Sequence, residues 1–292
     1  MNFLFSTDWH LSEKNSINRT GNILEDSFAK IKEIFELAGK YDATIIHGGD
    51  VFDDECPSFG LVNRLIDTIT EYKVPMHVVV GNHDVFGRNA TLGDTALFTL
   101  IKSNVAPELR ELTIGNTVLR GISYRNLSDH DPKLYIFGDS YKDKRKIIVT
   151  HNMLSPAESL PFPYLPVVSI KTDANLVLCG HIHTPFTVQN NQTWFVNPGC
   201  LIRRTISEKD IKPKVILFDE KSMQDIYLTK VKPGDEVFNS KKDDIDEFCK
   251  SINDVKIEPK DIVNIFSTYK DIPEDVREEC LRRINKVKQG VI

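Results

Sequence analysis

Residues 44–50 read Thr44-Ile45-Ile46-His47-Gly48-Gly49-Asp50, a short apolar run that breaks straight into two glycines and a carboxylate. Four other stretches repeat that form. Phe3-Leu4-Phe5 leads into Ser6-Thr7-Asp8-Trp9-His10, and His77-Val78-Val79-Val80 leads into Gly81-Asn82-His83-Asp84. Ile147-Ile148-Val149 leads into Thr150-His151-Asn152, and Leu176-Val177-Leu178 into Cys179-Gly180-His181-Ile182-His183. Continuous apolar runs of this length suit strands buried on both faces. Helical spacing separates the early ones: Ile23, Leu24, Phe28, Ile31, Ile34, Phe35 and Ala38 predict one amphipathic helix. Leu61, Leu65, Ile66 and Ile69 predict another, starting near Pro57-Ser58. Strands alternating with helices predict an α/β fold whose post-strand loops converge on one edge, where ligands bind.

The residues in those loops form a coherent donor set. Asp8, His10, Asp50, Asn82, His151, His181 and His183 offer two carboxylates, four imidazoles and one amide oxygen, with no thiolate. Such a mixed oxygen and nitrogen set suits Mn²⁺, Mg²⁺, Fe or Zn²⁺ and argues against a structural zinc knot. Seven side chains exceed what one ion needs, so two divalent ions sharing Asp50 is the economical solution. Taken singly, an Asp-x-His pair is more often solvated than ligating. Five such elements in order, each at a strand end, outweigh that reading. His83 is left over from the count and is placed to stabilise or protonate a leaving oxygen, with Asp84 as the carboxylate expected to orient it. His47 reads as a packing residue or a support for the ligands, and not as a ligand itself.

Beyond residue 184 the pattern turns antiparallel. Phe186–Gln189 and Thr193–Val196 flank Asn190-Asn191 as one hairpin, and Lys214–Asp219 and Asp225–Lys230 suggest a second. From about residue 235 the composition becomes charged and helix-favouring, which divides the chain into 1–234 and a small helical appendage, 235–292. Net charge is −5 with a pI near 5.9, which exerts no global pull toward nucleic acid or an anionic membrane. The five cysteines include no CxxC pair, a pattern of reduced thiols. No stretch approaches the roughly 20 apolar residues of a membrane helix. A cytoplasmic protein with no membrane contact is expected.

With these motifs in place, the chain resembles the calcineurin-like metallophosphoesterases, whose ligand motifs read D-x-H, G-D, G-N-H-D, H and G-H-x-H. That resemblance covers about residues 1–200 and implies a two-sheet βαβ sandwich. It assigns one metal to Asp8, His10, Asp50 and His183, and the second to Asp50, Asn82, His151 and His181, with His83 as the catalytic histidine. Within that group the chain is most similar to the SbcD-type DNA repair nucleases. The supporting residues are Ser6 to Leu11, Gly49-Asp50-Val51-Phe52-Asp53, and Asn197-Pro198-Gly199-Cys200-Leu201-Ile202-Arg203-Arg204. Asp53 stands where several of those chains carry His, at a position linked there to exonuclease geometry. Only about 55 residues follow the second hairpin, a shorter tail than that group usually carries, and this compactness suits a phage-encoded version acting in a host cytoplasm.

The resemblance implies a DNA exo/endonuclease that hydrolyses phosphodiesters through a bridging hydroxide between two metals, Mn²⁺ foremost. DNA, an SbcC-type ATPase and a second copy of the chain are the expected partners, and residues 91–102 read equally as a face for that second copy or as an ordinary core helix. Arg203 and Arg204 are the candidate contacts to DNA phosphates, and 235–292 a reduced cap or an ATPase-docking segment. A phosphatase or phosphodiesterase acting on nucleotides or other small phosphoesters would use the same site, so motifs alone do not separate the two. A non-catalytic scaffold would be expected to have lost ligands, and here all seven remain.

Overall fold

The computed structural model describes residues 2–16, 19–85, 93–124, 132–157, 164–219 and 222–238, all within one compact unit, Met1–Asn239. Two sheets form it. The first contains β1 (Asn2–Ser6), β2 (Ala43–His47), β3 (Met76–Val78) and a later hairpin, β12 (Lys214–Phe218) with β13 (Met223–Tyr227). Its order is β13-β12-β1-β2-β3, parallel from β1 to β3 and antiparallel at β12 and β13. The second sheet contains β4 (Glu111–Ile114), β5 (Thr117–Ile122), β6 (Arg145–Thr150), β9 (Leu176–Cys179), β10 (Phe186–Asn190) and β11 (Thr193–Asn197). Its order is β10-β11-β9-β6-β5-β4, with parallel strands inside and an antiparallel strand at each edge. A small pair, β7 (Leu154–Ser155) with β8 (Leu165–Pro166), stands apart.

Alternation along each strand builds the layers. Phe3 and Phe5 of β1, Ile46 of β2, and Ile147 and Val149 of β6 fill the space between the sheets, with Phe3 stacked on Phe218 at 4.6 Å. Leu4 and Ile45 point the other way, into a core shared with α1 (Ile23–Lys40), α2 (Phe59–Tyr72) and α3 (Ala96–Lys102). Helices α1 and α2 begin where their caps allow. Asn22 accepts the Glu25 amide and Ser58 the Leu61 amide, each satisfying an orphan donor of a first turn.

Several local expectations shift. The outer face of the second sheet, including Ile148, Val177 and Phe195, is covered by Tyr135, Phe137, Val167 and Ile170 from irregular segments. Among the described residues no α-helix covers it, so the strand–helix alternation stops after α3. The β4–β5 hairpin was not legible as a repeat of the strand-to-polar-loop form, because its turn is the glycine-first pair Gly115-Asn116. In the next hairpin Asn190 pairs with Thr193, so the turn is Asn191-Gln192, one residue later than the Asn-Asn reading. The last hairpin pairs Phe218 with Met223, so its return strand begins two residues earlier than read. Residues 235–238 join the body: α4 (Gly234–Val237) ends on Val237 and Phe238, both buried, and Thr20 donates to the Val237 carbonyl at 2.7 Å. The rest of the expected appendage, from 239 on, lies outside the described residues. So do Thr91 and Leu92 of the expected dimer segment, while Ala96, Leu97 and Leu100 of α3 are spent on the core.

Candidate metal centre

All five post-strand loops meet at one end of the two sheets. The approach is possible because the backbone there is forced into unusual shapes. Asp8, His10, Asp50 and His181 all have positive φ, at 53°, 42°, 56° and 71°. Left-handed conformations in non-glycine residues store strain, and they concentrate where a functional constellation needs side chains aimed inward. Gly81 shows how crowded the meeting point is. A Cβ there would lie 2.1 Å from Asp50 Oδ1 and 2.3 Å from the Asp50 nitrogen, so only glycine lets the β2 and β3 loops touch.

The seven expected ligands converge on two clusters joined by one atom. His10 Nε2 lies 3.7 Å from Asp8 Oδ1, 3.5 Å from Asp50 Oδ2 and 3.0 Å from His183 Nε2. His151 Nε2 lies 3.2 Å from the same Asp50 Oδ2 and 3.1 Å from Asn82 Oδ1, which also faces His181 Nδ1 at 2.6 Å. The other Asp50 oxygen is occupied, accepting the His83 amide at 2.9 Å, so Oδ2 is left as the shared atom. Ligands about 2.1 Å from an ion stand roughly 3.0–3.4 Å apart in octahedral or tetrahedral arrangements. Most of these contacts fall at or near that spacing. The donor set and its convergence therefore fit a pair of divalent ions.

Surrounding groups hold the donors in place. His151 Nδ1 meets the Gly48 carbonyl at 2.7 Å, and His183 Nδ1 meets Glu208 Oε1 at 2.5 Å. A second partner of this kind fixes which ring nitrogen faces the site. Glu208 also accepts the amides of Arg204 and Thr205, so it ties His183 to the following loop. Reading the sequence missed this residue. Its one trace is the capping-box pattern Thr205-x-x-Glu208, which marks a helix start and says nothing of a histidine 25 positions away. Asp53 likewise faces His10 Nδ1 at 3.4 Å and pairs with Arg204 Nη1 at 2.5 Å, while its carbonyl meets His83 Nδ1 at 2.8 Å.

Two expectations need correcting. Asp84 does not orient His83. Its Oδ2 accepts the amides of Gly81 and Asp50, each at 2.8 Å, and its Oδ1 accepts that of Val51 at 3.1 Å, so it clamps the backbones of two ligand loops together. The unpaired amides of two tight turns outcompete a neighbouring imidazole for a buried carboxylate. Arg203 does not reach the centre either. It is buried and donates to the Lys209 and Lys232 carbonyls, because the chain turns its side chain away from the face that presents Arg204. His47 is the packing residue expected, edge-on to Trp9.

Burial and charge work against each other among these side chains. Burial alone would lower His10 and His151, but Asp53, Asp8 and Asp50 raise His10 to about 9, and Asp50, Asp8 and the Gly48 carbonyl do the same for His151. Burial alone would raise Asp8, yet the imidazoles around it bring it to about 2. His47 and His181 go down to about 3 and about 4, mainly through burial. Asp84 is pushed up to about 7, by burial and by the Asp50 charge.

These shifts predict a pH optimum for the stability of the metal-free protein near 6.5. Above the unfolded histidine value, His10 and His151 hold protons that the unfolded chain has released, so stability falls as pH rises through 9. Below it, the unfolded chain protonates His47 and His181 while the folded protein does not, so stability falls toward pH 4. Asp84 has the opposite sign over part of that range and offsets one of the two. Melting temperature against pH in EDTA checks the result, and a monotonic rise from pH 6.5 to 9 would contradict it. Divalent metal should reverse the alkaline limb, because bound ions require His10 and His151 unprotonated.

The calcineurin-like phosphoesterase superfamily domain matches residues 1–223. The chain belongs to that superfamily. Members of it use divalent metal ions, and the clusters of Asp8, His10 and His183 and of Asp50, His151 and His181 are candidate groups for holding them. Among curated relatives, the DNA double-strand break repair protein Mre11 of Halobacterium salinarum is 25% identical over 197 residues, 64% of this chain and 48% of that protein. A probable cyclic nucleotide phosphodiesterase of Coxiella burnetii is 25% identical over 203 residues, 65% of this chain and 78% of that protein. The chain thus spans less than half the length of the Mre11 relative. Among solved structures, TT1561 of Thermus thermophilus superposes with a TM-score of 0.50 at 14% identity, covering 77% of this chain and 98% of that one, and shares the fold. No helix among the described residues is long and apolar enough to cross a membrane.

Proposed function

We propose that the chain is a metal-dependent DNA nuclease, cleaving phosphodiesters in repair or recombination beside an SbcC-type ATPase. The observation that carries this reading is the similarity to relatives named for DNA double-strand break repair. The surroundings of the centre support it. A cavity of about 440 Å³ shares Asp53 with the centre, and its mixed lining places Lys14 and Arg204 beside the carboxylates of Glu13 and Asp54. Mn²⁺ is the ion we propose, among the several divalent ions that a mixed oxygen and nitrogen donor set suits. Reduced thiols at Cys56, Cys179 and Cys200 suit the cytoplasm. A second copy of the chain remains a proposed partner.

Divalent ions bound there supply Lewis acidity toward a phosphoryl oxygen and a water of lowered pKa. The remaining steps belong to side chains. His83 is partly exposed, and the Asp53 carbonyl anchors its Nδ1, which leaves Nε2 to exchange a proton with the leaving oxygen. Arg204 is paired with Asp53 at the cavity wall, and its remaining N–H groups are the donors we assign to a substrate phosphate. Asp53 therefore sets the position of His10, His83 and Arg204 at once, which is how this position would influence where along a strand cleavage falls.

A second reading, hydrolysis of a small cyclic or linear phosphodiester, is favoured by the Coxiella relative, of which the chain spans the larger share. Incubation with Mn²⁺ and labelled linear duplex, beside a cyclic nucleotide and a chromogenic diester, separates the two. Cleavage of duplex and diester that EDTA abolishes supports the nuclease. Turnover of the small substrates with inert duplex, even with a candidate ATPase and ATP present, moves the chain to the second reading.

A further inference from the structure

A second cavity, of about 330 Å³, lies away from the proposed metal ligands, none of which lines it. Its walls carry Arg19, Lys30, Arg203, Lys230 and Lys232 and one carboxylate, Asp26. Three of these cations are deeply buried: Lys30, Arg203 and Arg19 are 3%, 4% and 7% exposed. Burying a cation costs several kcal/mol unless an anion compensates it. Here the local compensation is thin.

Asp26 serves two partners, taking Arg19 Nη2 at 3.1 Å and Lys232 Nζ at 2.7 Å. Among the described residues, Lys30 Nζ donates only to the Asp26 carbonyl, at 3.1 Å. Arg203 donates to two backbone carbonyls, and Arg19 Nη1 to a third, that of Arg203. Arg19 Nε, buried, has no hydrogen-bond partner among the described residues. Glu33, one turn along α1 from Lys30, is already spent on the amides of Thr229 and Lys230 and the Thr229 hydroxyl. Glu208 and Asp210 reach these guanidinium groups only through space. Burial, reinforced by the Arg19 charge, brings Lys30 down to about 8.

We propose that this cavity binds a phosphate-type oxyanion, held by the Arg19 and Arg203 guanidinium groups and the Lys30 ammonium, with the Lys230 and Lys232 ammonium groups of the same walls adding to the attraction. Forked guanidinium donors match the oxygens of a phosphate, and a dianion would supply the charge the walls lack. The volume is at the lower end of ligand pockets, enough for free phosphate, a mononucleotide or the phosphorylated end of a strand. Successive residues divide the work: Arg204 faces Asp53 at the metal centre, while Arg203 lines this cavity. Nothing here depends on which phosphoester the metal centre cleaves.

The test is calorimetric titration of the full, metal-stripped chain in EDTA with inorganic phosphate, a deoxynucleoside monophosphate and a 5′-phosphorylated oligonucleotide. Saturable one-to-one binding of phosphate is expected, weakened about 10-fold or more in Arg203→Met. A Lys230→Gln/Lys232→Gln double variant, altered only at more exposed positions, should also bind about 10-fold more weakly and decides the matter if Arg203→Met fails to fold. His151→Ala should bind as wild type. Tighter binding of the nucleotide or of the oligonucleotide than of phosphate supports the site and identifies its source. Absence of saturation in the wild type, unchanged affinity in the double variant, or loss of binding in His151→Ala would each overturn the proposal, the last by placing the anion at the metal centre.

Discussion

Asp50→Asn is expected to lower metal-dependent phosphodiester hydrolysis by about 10³-fold or more, with the fold kept. Asp50 is the one side chain common to both clusters. Its Oδ2 is 3.5 Å from His10 and 3.2 Å from His151, while Oδ1 is fixed by the His83 amide. Asparagine can still accept that amide, so the loop conformation survives. What disappears is the negative charge that the converging imidazoles surround. The remaining donors then hold divalent cations more weakly, and the joint between the two clusters is lost. Turnover of a chromogenic diester across a Mn²⁺ titration, with circular dichroism and a melting curve alongside, measures this. Activity above about a tenth of wild type at saturating metal would rule out a bridging role.

Asp84→Ala is expected to destabilise the protein by roughly 3–5 kcal/mol, lowering the melting temperature by roughly 10 °C. The change strands the amides of Gly81, Asp50 and Val51 in a buried region. Each orphaned donor costs about 1–3 kcal/mol. Part of that is offset, because a carboxyl buried beside Asp50 is itself unfavourable, which is why Asp84 is raised to about 7. Asp84→Asn keeps one acceptor oxygen and should fall between the alanine variant and wild type. If Asp84 instead oriented His83, the alanine variant would reshape the pH–rate profile and leave the melting curve in place. The backbone clamp requires the reverse.

Much of this architecture was legible one segment at a time. Apolar runs ending in Asp, Asn, Gly or His located β1, β2, β3, β6 and β9, because strand burial and loop chemistry are both written locally. The spacing of Ile23, Phe28, Ile31, Ile34, Phe35 and Ala38 located α1 for the same reason, and Ser58 marked the start of α2. The donor types named the chemistry, and all seven expected ligands come together. Hairpin registers were legible only to within a residue or two, since Asn190 is equally suited to a turn and to a strand end.

Direction and partnership were not written locally. Arg203 and Arg204 are adjacent and chemically alike, yet the backbone sends one into a buried cavity and the other to Asp53. Asp84 follows His83 directly but answers to amides more than 30 positions away. Glu208 became visible only against His183, and His10 meets His183 across 173 positions. The sequence by itself determined which loops would carry donors and what ions they suit. The tertiary structure alone decided which atoms share Asp50, because that depends on left-handed turns at Asp8, His10, Asp50 and His181 and on two sheets packing face to face, neither of which has a local signature.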